Sequence, residues 1–464
     1  MIYGENMIVV VGIGYVGLVS AACFAEVGHK VVCLDIDSKK IQNLRQGIIP
    51  IYEPGLASIV RSNTAAGRLQ FTTDYAEALQ DADVAILAVD TPTSHDGTCD
   101  TTNLEAAART LGQTITQDLF VIIKSTVPVG TSERIKAVIV AELEKRHLSP
   151  TLELISNPEF LREGCAVHDF CCPDRIVIGT SSDAATRRMK ALYKPFNHPE
   201  GTFVFMDPTS SEMTKYAANT MLACRISFMN WLSPLCEKSG ADIEMVRKAI
   251  GLDPRIGPHF LRAGIGFGGS CFPKDIRALR GMARASGVSE AFVAAIDMTN
   301  ELQKMTLGEK IIAYFQERGG TEGKTIAVWG LSFKPDTDDM REAPSLILIN
   351  QLLAVGIHPR LYDPAAMENA KKLLPHNDRI TWCHDGWHAA QNADGIALVT
   401  EWKEFCAVDL GRLKQFMRGK AFFDGRNQYS PAQMAQCGFD YLSIGRAPVY
   451  GLAPVPQEQP ALKS

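Results

Sequence analysis

The first 35 residues of this 464-residue chain admit few folds. A short apolar run of strand type, Met7 to Val11, is followed at once by Gly-Ile-Gly-Tyr-Val-Gly at 12–17 and then by a helical pattern. A second apolar run, Lys30 to Leu34, ends at Asp35. A strand, a Gly-x-Gly-x-x-Gly turn, a helix, a second strand and a terminal carboxylate form one β-α-β unit, and this order is typical of dinucleotide-binding sites.

Each residue type in this unit has a physical task. Gly12 allows the tight turn, Gly14 lets the backbone approach a pyrophosphate, and Gly17 lets the helix pack closely. Asp35 is placed to bind ribose hydroxyls, and together with Asp37 it would repel a 2′-phosphate. The sequence therefore favours NAD over NADP as the cofactor.

Composition and charge exclude several other classes of protein. A net charge of -5 provides no basic excess for nucleic acid or for a membrane surface. The best candidate for a membrane span, around Ala217 to Leu235, contains Arg225, and the amino terminus lacks the pattern of a signal peptide. The 12 cysteines form no CxxC pairs, so neither a disulfide scaffold nor a structural metal site is predicted. We expect a cytoplasmic protein with free thiols.

Strands and helices alternate through the first 206 residues. The predicted strands after the first two are Asp83–Val89, Leu119–Lys124, Glu153–Ser156, Arg175–Ile178 and Thr202–Phe205. Thr91 and Thr126 follow two of these strands, and ligands of doubly wound sheets lie beyond the carboxyl ends of the strands. Both threonines are therefore candidate binding residues, with helix or turn capping as the alternative.

A further polar segment, Asn-Pro-Glu-Phe-Leu-Arg-Glu-Gly at 157–164, follows the predicted strand that ends at Ser156. If the segment is helical, Glu159 and Glu163 share a face, and Arg162 between them could balance their charge. The alternative is a solvated helix start.

A long helical pattern then runs from about Ser210 to Lys238. Lys215 and Asn219 lie one helical turn apart on a face that is otherwise apolar. Such a pair either donates hydrogen bonds to a ligand or is a satisfied buried pair, because polar groups on an apolar face need partners.

The segment Gly-Ile-Gly-Phe-Gly-Gly-Ser-Cys-Phe-Pro-Lys-Asp, 264–275, places Cys271 after a run of glycines. The glycines suit a loop that wraps closely around a ligand. Most cysteines are small buried hydrophobes, but apolar packing requires neither flanking glycines nor Lys274 and Asp275. Cys271 is therefore a candidate nucleophile.

A second α/β unit is predicted after Gly319 and Gly320. Its strands are expected at Thr325–Trp329, Arg360–Tyr362, Ala393–Thr400 and Lys420–Phe423. It lacks the Gly-x-Gly-x-x-Gly turn and has Gly-Leu-Ser-Phe-Lys-Pro at 330–335 instead. Phosphate binding there should depend on Lys334 more than on backbone amides.

The predicted fold class is α/β, with two Rossmann-like doubly wound domains joined by a central helical domain. We place an NAD-binding Rossmann domain at 1–206, the helical domain with the Cys271 loop at 207–318 and a Rossmann-like domain at 319–446. A tail rich in proline and glutamine at 447–464 is expected outside the core.

With these motifs the chain resembles the UDP-glucose 6-dehydrogenases, within the wider family of nucleotide-sugar dehydrogenases. The motifs, in order, are GIGYVG, TPT, STVPVGT, NPEFLREG, the helix with Lys215 and Asn219, RIGP, GFGGSCFPKD and GLSFKPDTDDMREAPS. The resemblance spans residues 7 to about 444. It implies that the helical domain forms a homodimer or higher homo-oligomer and that the C-terminal domain binds the UDP-sugar.

The resemblance also implies a four-electron oxidation of UDP-glucose to UDP-glucuronate. The C6 alcohol is oxidised, Cys271 captures the aldehyde as a thiohemiacetal, a second oxidation gives a thioester, and water releases the acid. Two NADH form per substrate. Covalent capture keeps the reactive aldehyde from leaving between the two oxidations.

Specific roles are carried over by the same resemblance. Lys215 and Asn219 stabilise the oxyanions at C6, Asp275 and Thr126 hold the catalytic water, and Glu163 assists hydrolysis. The implied catalytic residues are Cys271, Lys215, Asn219, Asp275, Thr126, Glu163 and Glu159.

The implied ligand contacts form two sets. The cofactor set is Gly12, Gly14, Tyr15, Val16, Gly17, Asp35, Lys40, Thr91, Thr126, Glu163, Lys274 and Arg341. The substrate set is Glu159, Phe160, Leu161, Arg162, Glu163, Lys215, Asn219, Phe267, Gly268, Gly269, Ser270, Cys271, Lys334 and, from the other subunit, Arg255.

Other functions stay open on the sequence alone. A relative that oxidises UDP-N-acetylmannosamine or GDP-mannose would keep the fold and the thiol. A hydroxyacid dehydrogenase would make one NADH per substrate, and an NAD-binding module without activity would make none. The chain departs from the family at Cys165, Cys171 and Cys172, for which core packing is the first expectation and reaction with oxidants or metals the second.

Overall fold

The structure is a computed structural model that describes residues 7–94 and 97–451, and these residues form two units. The first comprises the chain to Thr220 together with Lys274–Glu290, and the second comprises Met221–Pro273 together with the chain from Ala291. No helix among the described residues is both long and apolar enough to cross a membrane.

The first unit is built on an eight-stranded sheet. Its strands are β1 (Met7–Val11), β2 (Lys30–Leu34), β3 (Leu69–Thr72), β4 (Val84–Leu87), β5 (Leu119–Ile123), β6 (Leu152–Ser156), β7 (Ile176–Gly179) and β8 (Phe203–Met206). The order is β3-β2-β1-β4-β5-β6-β7-β8, and every pair is parallel except β6 with β7.

Helices pack on both faces of this sheet. They are α1 (Tyr15–Glu26), α2 (Ser38–Arg45), α3 (Leu56–Ala65), α4 (Tyr75–Leu79), α5 (Thr102–Thr114), α6 (Thr131–Lys145), α7 (Ala166–Cys171) and α8 (Asp183–Tyr193). Four further helices follow: α9 (Pro208–Ser239), α10 (Ile243–Gly251), α11 (Phe272–Ala285) and α12 (Ala291–Gln316). The division between the units falls within α9 and within the first turn of α11.

Strand β1 shows why helices must cover both faces of the sheet. Ile8 and Val10 belong to the core that includes α1, whereas Val9 and Val11 belong to the core that includes α5 and α6. Successive side chains of a strand point to opposite faces, so an apolar run such as Met-Ile-Val-Val-Val requires cover on both sides.

The second unit has a six-stranded parallel sheet. Its strands are β9 (Thr325–Trp329), β10 (His358–Tyr362), β11 (Thr381–Trp382), β12 (Gly395–Leu398), β13 (Ala421–Asp424) and β14 (Asp440–Ser443), in the order β11-β10-β9-β12-β13-β14. Its remaining helices are α13 (Pro344–Ala354), α14 (Met367–Leu373), α15 (Gly386–Ala390), α16 (Lys403–Cys406), α17 (Leu410–Phe416) and α18 (Pro431–Gln436).

Both sheets reverse their strand order once, at β1 and β4 in the first unit and at β9 and β12 in the second. A glycine with positive φ follows the first strand of each pair. A Cβ on Gly12 (φ 90°) would lie 2.8 Å from atoms of Val89, and one on Gly330 (φ 91°) would lie 2.4 Å from Thr400. Ligands of such sheets bind at this reversal, beyond the carboxyl ends of the strands.

The predicted fold class, α/β with two Rossmann-like parallel sheets and a central helical region, is confirmed. Strands β1, β2 and β9 have the predicted bounds. The helix predicted from about Ser210 to Lys238 is α9, which begins two residues earlier, at Pro208.

The segment at 157–164 is not helical, so the condition for Glu159 and Glu163 to share a helix face is not met: residues 157–162 have no regular secondary structure and α7 begins only at Ala166. Pro158 disfavours helical angles at Asn157, so a helix cannot readily include Asn157. Most of the tail, 452–464, lies outside the described residues. Val449, near its start, exchanges two backbone hydrogen bonds of 2.8 and 3.0 Å with Tyr441.

Candidate active site

The glycine turn after β1 has the shape that a dinucleotide needs. A Cβ on Gly17 would lie 1.9 Å from the carbonyl oxygen of Gly12, so only glycine lets α1 pack this closely on the turn. A Cβ on Gly14 would meet only Asp90 Oδ1, at 3.5 Å. Gly14 also brings no side chain to cap α1, which leaves the first amides of the helix to an anion. These features fit a bound pyrophosphate.

Asp35 is fixed at the end of β2 by three hydrogen bonds. Its carboxylate accepts from the amides of Ile13 at 2.8 Å and Asp37 at 2.9 Å, and from Lys40 Nζ at 2.9 Å. Asp37 itself caps α2 by accepting from the amides of Lys39 and Lys40. The structure thus brings Asp35 and Lys40, two of the predicted cofactor residues, into direct contact beside the glycine turn.

Thr91 and Thr126 also meet. Thr91 is buried, and its hydroxyl donates to the carbonyl oxygen of Thr126 at 2.8 Å. Beside it, Ser125 Oγ donates to the carbonyl oxygen of Val89 at 2.6 Å. These bonds join the segments that follow β4 and β5, so the two predicted threonines lie together at the carboxyl edge of the sheet.

Lys215 is buried on α9 and is held by Glu159. Its ammonium group donates to the carbonyl oxygen of Glu159 at 2.6 Å and to Oε1 of the same residue at 2.9 Å, and it lies 5.2 Å from the centre of the Phe160 ring. Burial alone would raise the pKa of Glu159, but the charge and hydrogen bond of Lys215 outweigh it, so this pKa lies below its ordinary value. The pair is therefore ionic and its ammonium group is oriented.

Asn219, one turn along α9, is held in a similar way. Its amide nitrogen donates to Asp275 Oδ2 at 2.6 Å, and Lys274 Nζ donates to Asp275 Oδ1 at 2.6 Å. Asp275 is only 1% exposed and lies in the first turn of α11, whereas the sequence placed it at the end of a loop. Thus Asn219, Lys274 and Asp275, all predicted site residues, form one group, of which Asn219 and Asp275 are buried.

The segment after β6 places its charged residues differently from our prediction. Arg162 binds Asp169 of α7 through two side-chain hydrogen bonds, of 2.6 and 2.9 Å, and does not balance Glu159 and Glu163. The reason is that residues 157–162 form no helix, so a spacing of four residues does not place Glu159 and Glu163 on one face. The amide of Leu161 donates to Glu159 Oε2 at 2.5 Å.

In the second unit the glycine loop before Cys271 is fixed by amide side chains. Asn300 of α12 accepts from the Phe267 amide at 2.8 Å and donates to the Phe267 carbonyl at 3.0 Å. Asn230 accepts from the Gly264 amide at 2.8 Å, and Gln303 donates to the Gly264 carbonyl at 2.7 Å. The loop is therefore held rigidly although it has no regular secondary structure.

The end of the loop explains its glycines. A Cβ on Gly268 would lie 2.5 Å from the carbonyl oxygen of Glu342, and one on Gly269 would lie 2.9 Å from the Phe333 ring. The half-buried thiol of Cys271 follows directly, 3.7 Å from Ser270 Oγ. Cys271 is thus presented at the start of α11 by a backbone that tolerates no side chain at these two positions.

The predicted basic residues of the second unit lie on irregular segments. Lys334 is 5.6 Å from the centre of the Phe333 ring. The carbonyl oxygen of Arg341 accepts from the Gly269 amide at 2.8 Å, while its guanidinium group pairs with Asp339 at 2.7 Å. Arg255 is 88% exposed and pairs with Asp253. The contact of Arg255 with another subunit stays a prediction.

Asp363 ends β10 as Asp35 ends β2, but its carboxylate is already used by the protein. Oδ2 accepts from the amides of Leu331 and Ser332 at 2.7 and 3.0 Å and from Trp402 Nε1 at 3.1 Å, and the side chain is buried. No comparable indole reaches Asp35 among the hydrogen bonds of the described residues. The Trp402 indole is thus a partner of Asp363 that has no counterpart at Asp35 in the described part of the chain.

Sequence reasoning missed three buried charged residues of the first unit. Glu53 binds Tyr15 and Gly164, Glu212 accepts from the amides at the start of α6, and Lys124 follows β5 and donates to Asn157 Oδ1 at 3.2 Å. A carboxylate between apolar residues and prolines (Ile-Tyr-Glu-Pro) and a lysine that ends a buried strand were the available signals.

The predictions for Cys165, Cys171 and Cys172 have different outcomes. Core packing is wrong for Cys165 and Cys172, whose side chains are exposed, while Cys171 is half-buried against the core of α1. Within the described part of the chain, no group of three or more His, Cys, Asp or Glu side chains is arranged to hold a metal ion.

The sequence of the chain matches one family of known proteins. Models of the UDP-glucose/GDP-mannose dehydrogenase family match in three parts: the NAD binding domain at residues 6–197, the central domain at 209–302 and the UDP binding domain at 327–431. The chain is 46% identical to the UDP-glucose 6-dehydrogenase of Pseudomonas aeruginosa over 440 residues, which cover 94% of this chain and 97% of that protein. It is 42% identical to UDP-glucose 6-dehydrogenase TuaD of Bacillus subtilis, with 98% and 96% covered.

Solved structures give the same result. The UDP-glucose dehydrogenase of the hyperthermophilic archaeon Pyrobaculum islandicum superposes with a TM-score of 0.86 at 36% identity, covering 96% of this chain and all of that one. A UDP-D-ManNAc dehydrogenase from Pyrococcus horikoshii gives a TM-score of 0.81 at 27% identity, with 95% and 99% covered. The chain belongs to the UDP-glucose/GDP-mannose dehydrogenase family.

Proposed function

We propose that the protein oxidises UDP-glucose to UDP-glucuronate with two equivalents of NAD. The observation that carries the proposal is the pair of donors on α9: Lys215 and Asn219 lie one turn apart, and each is oriented by a buried carboxylate. Two preorganised donors suit an oxygen that gains negative charge. The curated UDP-glucose 6-dehydrogenases at 42–46% identity support UDP-glucose as the substrate.

In the first oxidation the C6 hydroxyl loses its proton and C6 loses a hydride. NAD, when bound, supplies the acceptor for the hydride in each of the two oxidations. Lys215 and Asn219 stabilise the oxygen as its proton leaves, and Asp275 holds the water that carries the proton away. Asp275 suits this task because the amide of Asn219 and the ammonium group of Lys274 fix its carboxylate.

Cys271 links the two oxidations. Its thiolate forms a C–S bond to the aldehyde carbon, which gives a thiohemiacetal, and loss of a second hydride and the hydroxyl proton gives a thioester. Water then adds to the carbonyl carbon, the C–S bond breaks, and the sulfur leaves as thiolate. Glu163 assists by taking a proton from the water, which is held by Thr126 and Asp275.

The ligand sets implied by the resemblance are proposed for the same reaction. The backbone from Glu159 to Glu163, the loop from Phe267 to Cys271, Lys334 and a second subunit's Arg255 bind the nucleotide sugar. The glycine turn with Tyr15 and Val16, together with Asp35, Lys40, Thr91, Lys274 and Arg341, binds NAD. Support comes from the contacts of Asp35 with Lys40 and of Thr91 with Thr126.

We propose a homodimer formed through the 207–318 region, with flanking domains at 1–206 and 319–446. Support comes from large apolar side chains exposed on α9 and α12, among them Met221, Phe228, Trp231, Phe292 and Leu302. We also propose a cytoplasmic location, since all 12 cysteines are free thiols in the structure.

Purified protein with NAD and each of UDP-glucose, UDP-N-acetylmannosamine and GDP-mannose tests the proposal. We expect turnover of UDP-glucose with two NADH per molecule of UDP-glucuronate, both quantified from the same reaction. One NADH per substrate would indicate a single-oxidation dehydrogenase, and turnover only of an N-acetyl or GDP sugar would overturn the choice of substrate. NAD binding without NADH formation from any sugar would support a binding module.

A further inference from the structure

Glu53 is a buried carboxylate, 7% exposed, that lies on the segment before α3 and contacts two distant segments of the first unit. Oε2 accepts from the hydroxyl of Tyr15 and from the amide of Gly164 at 2.6 Å. Oε1 accepts from the amides of Ala166 at 2.7 Å and Val167 at 3.4 Å. One side chain thus ties the glycine turn to the segment between β6 and α7.

The bonds to Ala166 and Val167 replace a missing helix cap. Cys165, the residue before α7, makes no capping hydrogen bond with its side chain, and the first amides of a helix lack partners within the helix. Glu53, more than a hundred residues earlier in the sequence, satisfies two of them. Its negative charge is also favourable at a helix start.

The bond to Tyr15 adds a second anchor. The Gly164 amide lies 3.2 Å from the Tyr15 hydroxyl oxygen as well as 2.6 Å from Glu53. Burial, together with the hydrogen bond and charge of Glu53, raises the pKa of Tyr15, so the phenol keeps its proton and donates it to the carboxylate. Tyr15 and Glu53 therefore both accept a hydrogen bond from the same peptide group.

That peptide group joins Glu163 to Gly164, whose φ of 81° is the left-handed conformation that favours glycine. Fixing the Gly164 amide fixes the plane of this peptide group. The direction of the Glu163 side chain is restricted with it. We propose that Glu53 is a positioning residue that holds Glu163 for hydrolysis of the thioester. The inference rests on the proposed function, in which Glu163 assists the release of the acid.

A role confined to stability makes a different prediction. Loss of a cap lowers the fraction of folded enzyme. The observed rates of all steps then fall in the same proportion, so no intermediate builds up. Misplacement of Glu163 slows only the addition of water to the thioester, so the acyl enzyme accumulates on Cys271 during turnover.

The test compares Glu53→Gln with wild type and with Glu142→Gln, another buried carboxylate of the first unit, which binds Arg109, Gln113 and Lys145. Intact-protein mass spectrometry of samples quenched during turnover of UDP-glucose and NAD measures the acyl enzyme. For Glu53→Gln we expect kcat to fall between roughly 10-fold and 100-fold, a fast burst of NADH, and the acyl enzyme as the main species. Glu142→Gln and wild type should show little adduct.

Three outcomes are decisive. If wild type forms no NADH from UDP-glucose, the proposed function fails, and the inference fails with it. If wild type turns over but Glu53→Gln is slow without an adduct, the inference alone is overturned. If Glu53→Gln does not fold, as judged by circular dichroism and gel filtration, Tyr15→Phe keeps the cap bonds and removes one of the two anchors of Gly164. Tyr15→Phe should accumulate the acyl enzyme to a smaller extent than expected for Glu53→Gln. If Tyr15→Phe accumulated no acyl enzyme, the inference would be overturned.

Discussion

Asn219 Nδ2 donates to Asp275 Oδ2 at 2.6 Å, although 56 residues separate the two in the chain. One turn earlier on α9, Lys215 is bound by Glu159, which is also 56 residues away but on the amino-terminal side. The two donors of a single helix face are therefore oriented by carboxylates from different segments. Preorganisation of this kind stabilises developing charge without reorganisation at the moment of reaction.

Asp275→Asn should nearly abolish turnover. The variant removes the carboxylate that accepts from Asn219 and Lys274, and a neutral amide in its place does not stabilise the positive charge of a water that takes up the proton. We expect kcat for UDP-glucose to fall by roughly 10²-fold or more, in steady-state assays of NADH formation. The control is Asp118→Asn, which changes a carboxylate that accepts, among the described residues, only from the Thr151 amide. Near-normal kcat for Asp275→Asn would contradict a role in proton transfer.

Cys271→Ser should keep the fold and the affinity for NAD but lose steady production of the acid. A serine hydroxyl does not replace the thiolate, so we expect UDP-glucuronate formation to fall by at least roughly 10²-fold. Cys99→Ser is an informative control, because the Cys99 thiol lies 3.8 Å from the carbonyl oxygen of Thr126 and burial raises its pKa. If Cys99→Ser lost activity and Cys271→Ser kept it, the wrong thiol would have been assigned.

The parts of the site that sequence could predict are those defined by local patterns. Gly12, Gly17 and Asp35 lie within one β-α-β unit, so their spacing alone indicates the turn, the helix and the carboxylate. Lys215 and Asn219 follow from the period of one helix. The structure adds their carboxylate partners, which come from elsewhere in the chain.

The parts that sequence could not predict depend on contacts between distant segments. Glu53 caps α7 from more than a hundred residues away, and no local pattern records such a cap. The charge balance suggested for Arg162 fails because a spacing of four residues implies contact only in a helix, and residues 157–162 form none. The partner of a side chain can therefore be identified only from the folded structure, whereas the residue types of the site can be read from the sequence.

Glu159→Gln should destabilise the protein most at neutral pH. Lys215 holds the pKa of Glu159 below its ordinary value, so the ion pair stabilises the folded state above about pH 4.3 and is lost as the pH falls through the lowered pKa. Breaking a buried ion pair costs about 3–5 kcal/mol. Urea unfolding between pH 7 and pH 3.5 should show the difference between wild type and variant shrinking at the acid end. Glu133→Gln, at an exposed position on α6, is the control.

Gly268→Ala should impair catalysis more than stability. The new Cβ would lie 2.5 Å from the carbonyl oxygen of Glu342, so the loop that presents Cys271 must shift. A shift of about 1 Å can cost up to roughly 10²-fold in rate, and we expect kcat to fall by at least roughly 10-fold. Gly201→Ala, where a Cβ meets nothing within 4 Å, should behave like wild type in the same assay. Equal rates for both variants would show that the loop tolerates displacement.

Lys124→Met should change how stability depends on pH. Burial lowers the pKa of Lys124 to about 8, the charge of Lys215 acts in the same direction, and Glu159 opposes both. In the unfolded chain a lysine has a pKa of about 10.4, so between about pH 8 and pH 10.4 the unfolded state binds more protons than the folded state. The free energy of unfolding of wild type therefore rises with pH across this window, by up to about 3 kcal/mol.

The variant lacks this titration. Asn157 Oδ1, the acceptor of Lys124, keeps its hydrogen bond from the Tyr193 hydroxyl at 3.0 Å, so methionine leaves no bare acceptor. We expect the free energy of unfolding of Lys124→Met, relative to wild type, to be most favourable at pH 7 and to decrease progressively up to pH 10. Urea unfolding at pH 7, 8.5 and 10 measures this difference. Lys238→Met measures the effect of losing one exposed charge. Parallel pH profiles for wild type and Lys124→Met would show that Lys124 has the same pKa in the folded and unfolded states, which would contradict the prediction.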